Sequence, residues 1–161
     1  MSQHPRPSDS RLQFIEINSE NWYKVCDLTE TLSKEHQKCV AQNAYSIAEA
    51  HYSPNAWMRA IALGEELIGF IMIDTTLSNF PEGDQPAVFL WRFMIGGPWQ
   101  KKGYARQALD LICDKYRKEG IKYLYTSCSM EPYGPYGFYI KYGFVDTGKV
   151  AYEEEVLKLK L

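Results

Sequence analysis

The chain has 161 residues, 45% of them hydrophobic, with a formal net charge of −2; that is enough apolar material for one core and too little chain for a second independent domain. The near-neutral balance offers no general attraction for nucleic acid or an anionic membrane, so any anion site must be local. No apolar run reaches the ~18 residues of a membrane span, and the opening MSQHPRPSDS lacks a signal-peptide core, so residues 1–10 are expected as a disordered tail, residues 11–161 as one domain, and the protein as soluble and cytoplasmic.

The stretch LQFIEI at 12–17 alternates and predicts a first strand. NSENWYKVCDLTETL follows as one helix, capped by Asn18 or Ser19, with Trp22, Val25, Leu28 and Leu32 on its apolar face. A second short helix is expected in NAYSIAEAHY, ended by Pro54. MRAIALGEELIGFIMID holds two strand-like runs around Gly64-Glu65-Glu66, which reads as a hairpin. LSNFPEGDQP is a loop by its Pro and Gly content. AVFLWRFMIGG is almost unbroken apolar sequence, so it predicts a strand covered on both faces at the centre of the sheet. A helix from about Tyr104 to Lys118, a strand in KYLYTSCSM, a short helix in FYIKYG and two closing strands around FVDTGKVA and EEVLKLKL complete the chain. The fold class is α+β, a mixed α/β arrangement with a sheet of about seven strands. Cys26, Cys39, Cys113 and Cys128 are scattered without CxxC or Cys/His spacing, so reduced thiols and no metal site are expected.

One junction carries a chemical signal. In FMIGGPWQKKGYARQALDLI a buried strand gives way to Gly96, Gly97 and Pro98, and Gln100-Lys101-Lys102-Gly103-Tyr104-Ala105 then opens a helix. The first N–H groups of a helix have no intrahelical partner, and the macrodipole puts about half a positive charge there, so a phosphate can dock. Gly103 removes a Cβ from its path, Ala105 keeps the next turn small, and Lys101 and Lys102 add cationic donors. A surface loop with solvated lysines would contain the same residue types, so the QxxGxA spacing needs support from elsewhere. Neither the GK[ST] of a P-loop nor the GxGxxG of a dinucleotide fold occurs.

That support is the rest of the second half. WRFMIGGPWQKKGYARQALDLI, then a strand, then GFYIKYGFVDTG, resembles the GNAT superfamily of acetyl-CoA-dependent N-acetyltransferases, in loop motif and in the later Tyr-bearing helix. QKCVAQNAYSIAEAHYSPNAWMRAIALGEELIGFIMI and the terminal EEEVLKLKL are similar to a bacterial group described as diamine or spermidine acetyltransferases. The resemblance implies a GNAT fold with a splayed central strand. It also implies acetyl-CoA as cosubstrate, with the pyrophosphate held by Gln100, Lys101, Lys102, Gly103, Tyr104 and Ala105, and the pantetheine arm along the backbone of Phe93, Met94 and Ile95. Gly96 and Gly97 suit the bulge and close approach of a strand that splays to admit that arm.

The same resemblance makes Tyr139 the general acid for the departing thiolate; a phenol is a chemically sensible donor to a thiol, although Tyr139 sits among aromatics that pack regardless of chemistry. A general base is harder to find, because the central strand contains no acid. Glu49 and Glu131 are candidates, with Glu30 and Glu35 weaker ones, and His36 and His51 read first as exposed polar residues. Glu49 and Trp91 are expected at the acceptor, the first for a remote cation and the second, with Tyr45, for cation–π contact. The acceptor implied is the primary amine of a small polycation, with an aminoglycoside or peptide amino terminus as the enzyme alternative and an idle acetyl-CoA-binding regulatory module as the non-enzyme one. The superfamily's cofactor-contacting Asn is missing from EPYGPYG. No nucleic acid or membrane partner is expected, and a homodimer is left open.

Overall fold

The computed structural model describes residues 11–161; the tail expected at 1–10 lies outside them. Seven strands form one sheet in the order β1-β2-β3-β4-β5-β7-β6. They are β1 Leu12–Ile15, β2 Ala56–Leu63, β3 Glu66–Asp74, β4 Ala87–Ile95, β5 Tyr123–Cys128, β6 Val145–Ala151 and β7 Glu154–Lys160. The helices are α1 Trp22–Asp27, α2 Lys34–Gln37, α3 Asn43–His51, α4 Tyr104–Lys118 and α5 Tyr136–Tyr142.

The hairpin expected around Gly64 joins β2 to β3, with Leu63 opposite Glu66 and Gly64 at φ +61°, a conformation that glycine enters without a Cβ penalty. β4 is the fourth of the seven strands, antiparallel to β3 and parallel to β5. Both of its faces are covered. One meets Leu109 and Ile112 of α4, and these share a core with Ile71, Ile73, Val88 and Leu90. The other meets Val25 and Leu28, packed with Ala60, Phe70, Met72 and Met94. Helix α4 buries Ala108, Leu109, Ile112, Cys113 and Tyr116, a one-sided helical spacing, and each fully buried Leu or Ile contributes about 1.5–3 kcal/mol.

The segment expected as one long first helix is broken. Asn18 and Asn21 spend their side chains on nearby backbone, Asn21 Oδ1 accepting from Asn18 N–H at 2.8 Å and Asn18 Oδ1 from Glu20 N–H at 2.9 Å; such Asx turns compete with helix. Helix α1 therefore starts only at Trp22, tightens to a 3₁₀ turn at Leu28–Thr31 and yields to extended backbone at Leu32. Trp22, expected on the apolar face, is 51% exposed, while Val25, Leu28 and Leu32 are buried. The α2 turn was not legible; Ser33 caps it, accepting from His36 N–H at 3.2 Å.

Two features of β4 position the site. Its register against β3 jumps from Met72↔Arg92 to Ile73↔Leu90, so Trp91 is a bulge residue. Its pairing with β5 runs only over Ala87–Leu90. From Trp91 onward β4 diverges from β5, and the sheet splays open at its centre.

Candidate active site

A cleft of ≈ 1420 Å³ occupies the splay. Its floor alternates down the strands: Phe89 and Arg92 from β4, Tyr125 and Ser127 from β5, Glu154, Val156 and Lys158 from β7. Leu90, Thr126, Cys128 and Tyr139 close it from the α4 and α5 side. A space between two parallel strands that have parted, reaching both faces of the sheet, can admit a narrow ligand arm through the sheet itself.

The backbone of Phe93, Met94 and Ile95 borders this opening, bonded to β3 on one side and free of β5 on the other. Immediately after it, Gly96 N–H donates to Ile68 O at 2.7 Å and Gly97 N–H to Thr31 Oγ1 at 2.8 Å. A Cβ on Gly97 would fall well inside contact distance of the Thr31 carbonyl. The two glycines thus let the Thr31 turn close down on the end of β4, and the bulge expected of them lies instead at Trp91.

Beyond them the loop turns into α4 through two left-handed residues, Lys101 at φ +60° and Gly103 at φ +84°. No side chain caps α4 and its first turn holds no acidic residue. The first α-helical bond is Gln107 N–H to Gly103 O at 3.1 Å, which leaves the N–H groups of Tyr104, Ala105 and Arg106 without an α-helical partner. Lys101 and Lys102 stand exposed beside them. An uncapped N-terminus flanked by lysines can receive an anion, by dipole and by donors. Gln100 turns the other way: its Nε2 donates to Ile95 O at 3.0 Å and ties the loop back to β4. Gly103 has open space where its Cβ would stand, so conformation rather than crowding requires glycine there.

Tyr139 is 5% exposed, its ring 5.5 Å from Phe138 and 5.2 Å from Phe144 between centroids. Burial drives its phenol far above the ordinary tyrosine range, and the Thr126 hydroxyl beside it only partly offsets this. The group is therefore held as a neutral O–H facing the cleft; it is not tuned down toward a thiol. Cys128, next to it in the wall, has its thiol pushed up to about 11 by burial first and then by the charge of Glu154.

Glu49 and Trp91 both reach the cleft, and both are engaged by one residue that sequence reasoning missed. Arg92 Nη2 pairs with Glu49 Oε2 at 3.0 Å, its Nε donates to Ser46 Oγ at 3.2 Å, and its guanidinium lies 5.5 Å from the Trp91 ring. Glu30, Glu35, Glu131, His36, His51 and Tyr45 are not in the cleft wall. Also unforeseen is a knot at the far end, where Asp84 accepts from Tyr125 O–H and from Lys158 Nζ at 2.8 Å. The Lys158 bond, then the Tyr125 bond, lowers the Asp84 carboxyl from its ordinary value. Among the described residues no group of metal-ligating side chains gathers, and no helix is long and apolar enough to cross a membrane.

The comparisons agree with this geometry. The acetyltransferase (GNAT) family model matches residues 14–144. No curated protein is similar enough in sequence to count as a relative. An acetyltransferase of Thermus thermophilus has the same fold, with a TM-score of 0.74 at 16% identity over 93% of this chain and 97% of that one. The microcin C7 self-immunity acetyltransferase MccE, solved with acetyl-CoA and AMP, gives 0.71 at 13% over 97% and 98%. The PaiA N-acetyltransferase of Thermoplasma acidophilum, solved with coenzyme A, gives 0.64 at 13% over 94% and 99%. A parted pair of central strands, an uncapped α4 behind a Gln-x-x-Gly-x-Ala loop and a family match across most of the sequence lead to one conclusion: the chain belongs to the acetyltransferase (GNAT) family and is an N-acetyltransferase that takes its acetyl group from acetyl-CoA.

Proposed function

We propose that the acceptor is the primary amine of a small polycation, a diamine or a spermidine-like molecule, and that Tyr139 protonates the departing sulfur. The donor fits the chain as follows: the α4 N-terminus with Lys101 and Lys102 receives the pyrophosphate, the free edge of Phe93–Ile95 receives the pantetheine arm, and the thioester reaches the splay beside Tyr139. The supporting observation for the acceptor is the charge of the cleft. Its wall carries five carboxylates, Glu49, Asp74, Asp84, Asp146 and Glu154, against the four cations Lys38, Arg92, Lys149 and Lys158, with Phe80, Phe89 and Tyr125 between them. Acid interleaved with aromatic faces suits an alkyl dication.

Glu49 is assigned to the remote cation, in competition with Arg92. Glu49→Gln is expected to raise the Michaelis constant for 1,4-diaminobutane roughly fivefold, since a partly exposed pair contributes on the order of 1 kcal/mol, and to leave that for butylamine nearly unchanged. Steady-state kinetics with the two amines checks it; equal effects on both would remove Glu49 from the acceptor site. A second reading has one observation in its favour. The cleft exceeds the roughly 300–1,000 Å³ usual for a small-ligand site, which leaves room for an aminoglycoside or a peptide amino terminus, and turnover of these in preference to diamines would select that reading.

A further inference from the structure

The acid that accepts the amine's proton has no place on β4, and the cleft narrows the choice to one side chain. Four of its five carboxylates already hold a cation or a backbone N–H. Glu49 is paired with Arg92, and Asp84 with Lys158. Asp146 accepts from Tyr136 O–H at 2.9 Å and from Gly148 N–H at 2.8 Å. Asp74 closes the Asp74–Thr76 turn at the far end of β3 through Thr76 N–H at 2.9 Å. Glu154 forms no ion pair among the described residues. Among the described residues its carboxylate has one hydrogen-bond partner, the neutral hydroxyl of Ser127, whose Oγ donates to Oε2 at 2.5 Å across β5 and β7. Its position follows from the strand pairing: Ser127 stands opposite Val156 and Cys128 opposite Glu155, so Glu154 lies at the splayed end of β5, and its side chain lines the same cleft as Tyr139. The charge of Glu154 reaches both Tyr139 and Cys128.

We propose that Glu154, oriented by Ser127, is the general base of the reaction; this rests on the amine-acetylating reading above. The acceptor arrives as an ammonium, and its first proton passes to the Glu154 carboxylate and then to water at the cleft mouth. The freed lone pair forms the C–N bond as the C–S bond breaks. The sulfur takes the proton of the Tyr139 phenol, and the second proton lost by nitrogen restores that phenol. One amide, one free thiol of coenzyme A and one released proton balance the step. Glu154 and Tyr139 thus serve opposite ends of the transfer from opposite faces of the parted sheet.

The test compares 1,4-diaminobutane with 2,2-difluoro-1,4-diaminobutane at pH 7. In the second compound the nitrogen beside the CF₂ group is a neutral amine and needs no base, while its remote nitrogen remains a cation. Glu154→Gln keeps the shape and the Ser127 hydrogen bond. It is expected to lower kcat/KM for 1,4-diaminobutane by about 10²-fold and for acetylation of the fluorinated nitrogen by far less, with the thermal shift on adding coenzyme A retained as proof of fold. Equal losses on both amines, the result of a merely structural or cation-anchoring role, would overturn the proposal and leave the amine-acetylating reading standing, as would no loss on either. Absence of turnover of both amines by the unaltered protein would overturn the polyamine acceptor and this proposal with it.

Discussion

Tyr139→Phe is expected to lower the acetyl-transfer rate by about 10²–10⁴-fold, the usual contribution of a positioned proton donor, while coenzyme A binding stays nearly unchanged. The substitution deletes one oxygen from a side chain whose ring is fixed by Phe138 and Phe144, so the packing survives. The phenol is held neutral by burial, and raising the pH through the neutral and mildly alkaline range therefore leaves it protonated and the donor in place. Stopped-flow or steady-state thiol release, compared with the coenzyme A dissociation constant of the same variant, separates the two effects. An unchanged rate would return Tyr139 to packing alone, and a rate loss matched by an equal loss of cofactor affinity would make it a binding residue.

The second large effect belongs to Gly103. Gly103→Val is expected to abolish the stabilisation that coenzyme A confers, about 2.7 kcal/mol at a hundred times the dissociation constant. Its φ of +84° is one that a β-branched residue enters only at a cost of roughly 1–3 kcal/mol, so the loop must rewind. The N–H groups of Tyr104, Ala105 and Arg106 then no longer converge. Because nothing stands within 4 Å of the missing Cβ, the fold itself can accept the side chain, and the ligand-free protein should lose little more than this local strain. Thermal unfolding with and without coenzyme A measures both quantities. A variant that binds with unchanged affinity would place the pyrophosphate elsewhere.

What the sequence discloses and what it hides follow one physical division. Strand β4 and helix α4 were legible because their signals are local: unbroken apolar sequence for a strand buried on both faces, and a one-sided apolar stripe for a helix lying on it. The Gly103 turn was legible for the same reason, since a helix start advertises itself in neighbouring residues. Trp22 misled because the periodicity that assigns it to the apolar face assumes one continuous helix, and the Asn18 and Asn21 side chains broke that helix at its start. Arg92 escaped notice because its relation to Glu49 spans 43 positions and exists only where α3 packs over β4. Glu154 is the clearest case. It stands in the run Glu153-Glu154-Glu155, three like residues of which one faces the cleft. The choice is made by a β6–β7 turn in which Tyr152 and Glu153 take φ +52° and +65° and by the pairing Ala151↔Glu154. Tyr and Glu are not the residues that announce such a turn, so the register was invisible in the string. Only with that register in hand is Glu154 seen to share the cleft with Tyr139.

The most direct test of the account is release of free thiol from acetyl-CoA by the purified chain in the presence of 1,4-diaminobutane, spermidine, an aminoglycoside and a short peptide, with mass spectrometry of each amine. The account predicts thiol release above the background hydrolysis of acetyl-CoA, matched one for one by acetylated nitrogen, and greatest with the diamine or spermidine. Tight binding of coenzyme A with no acetylated amine from any of the four would contradict it and leave the chain as an idle acetyl-CoA-binding module.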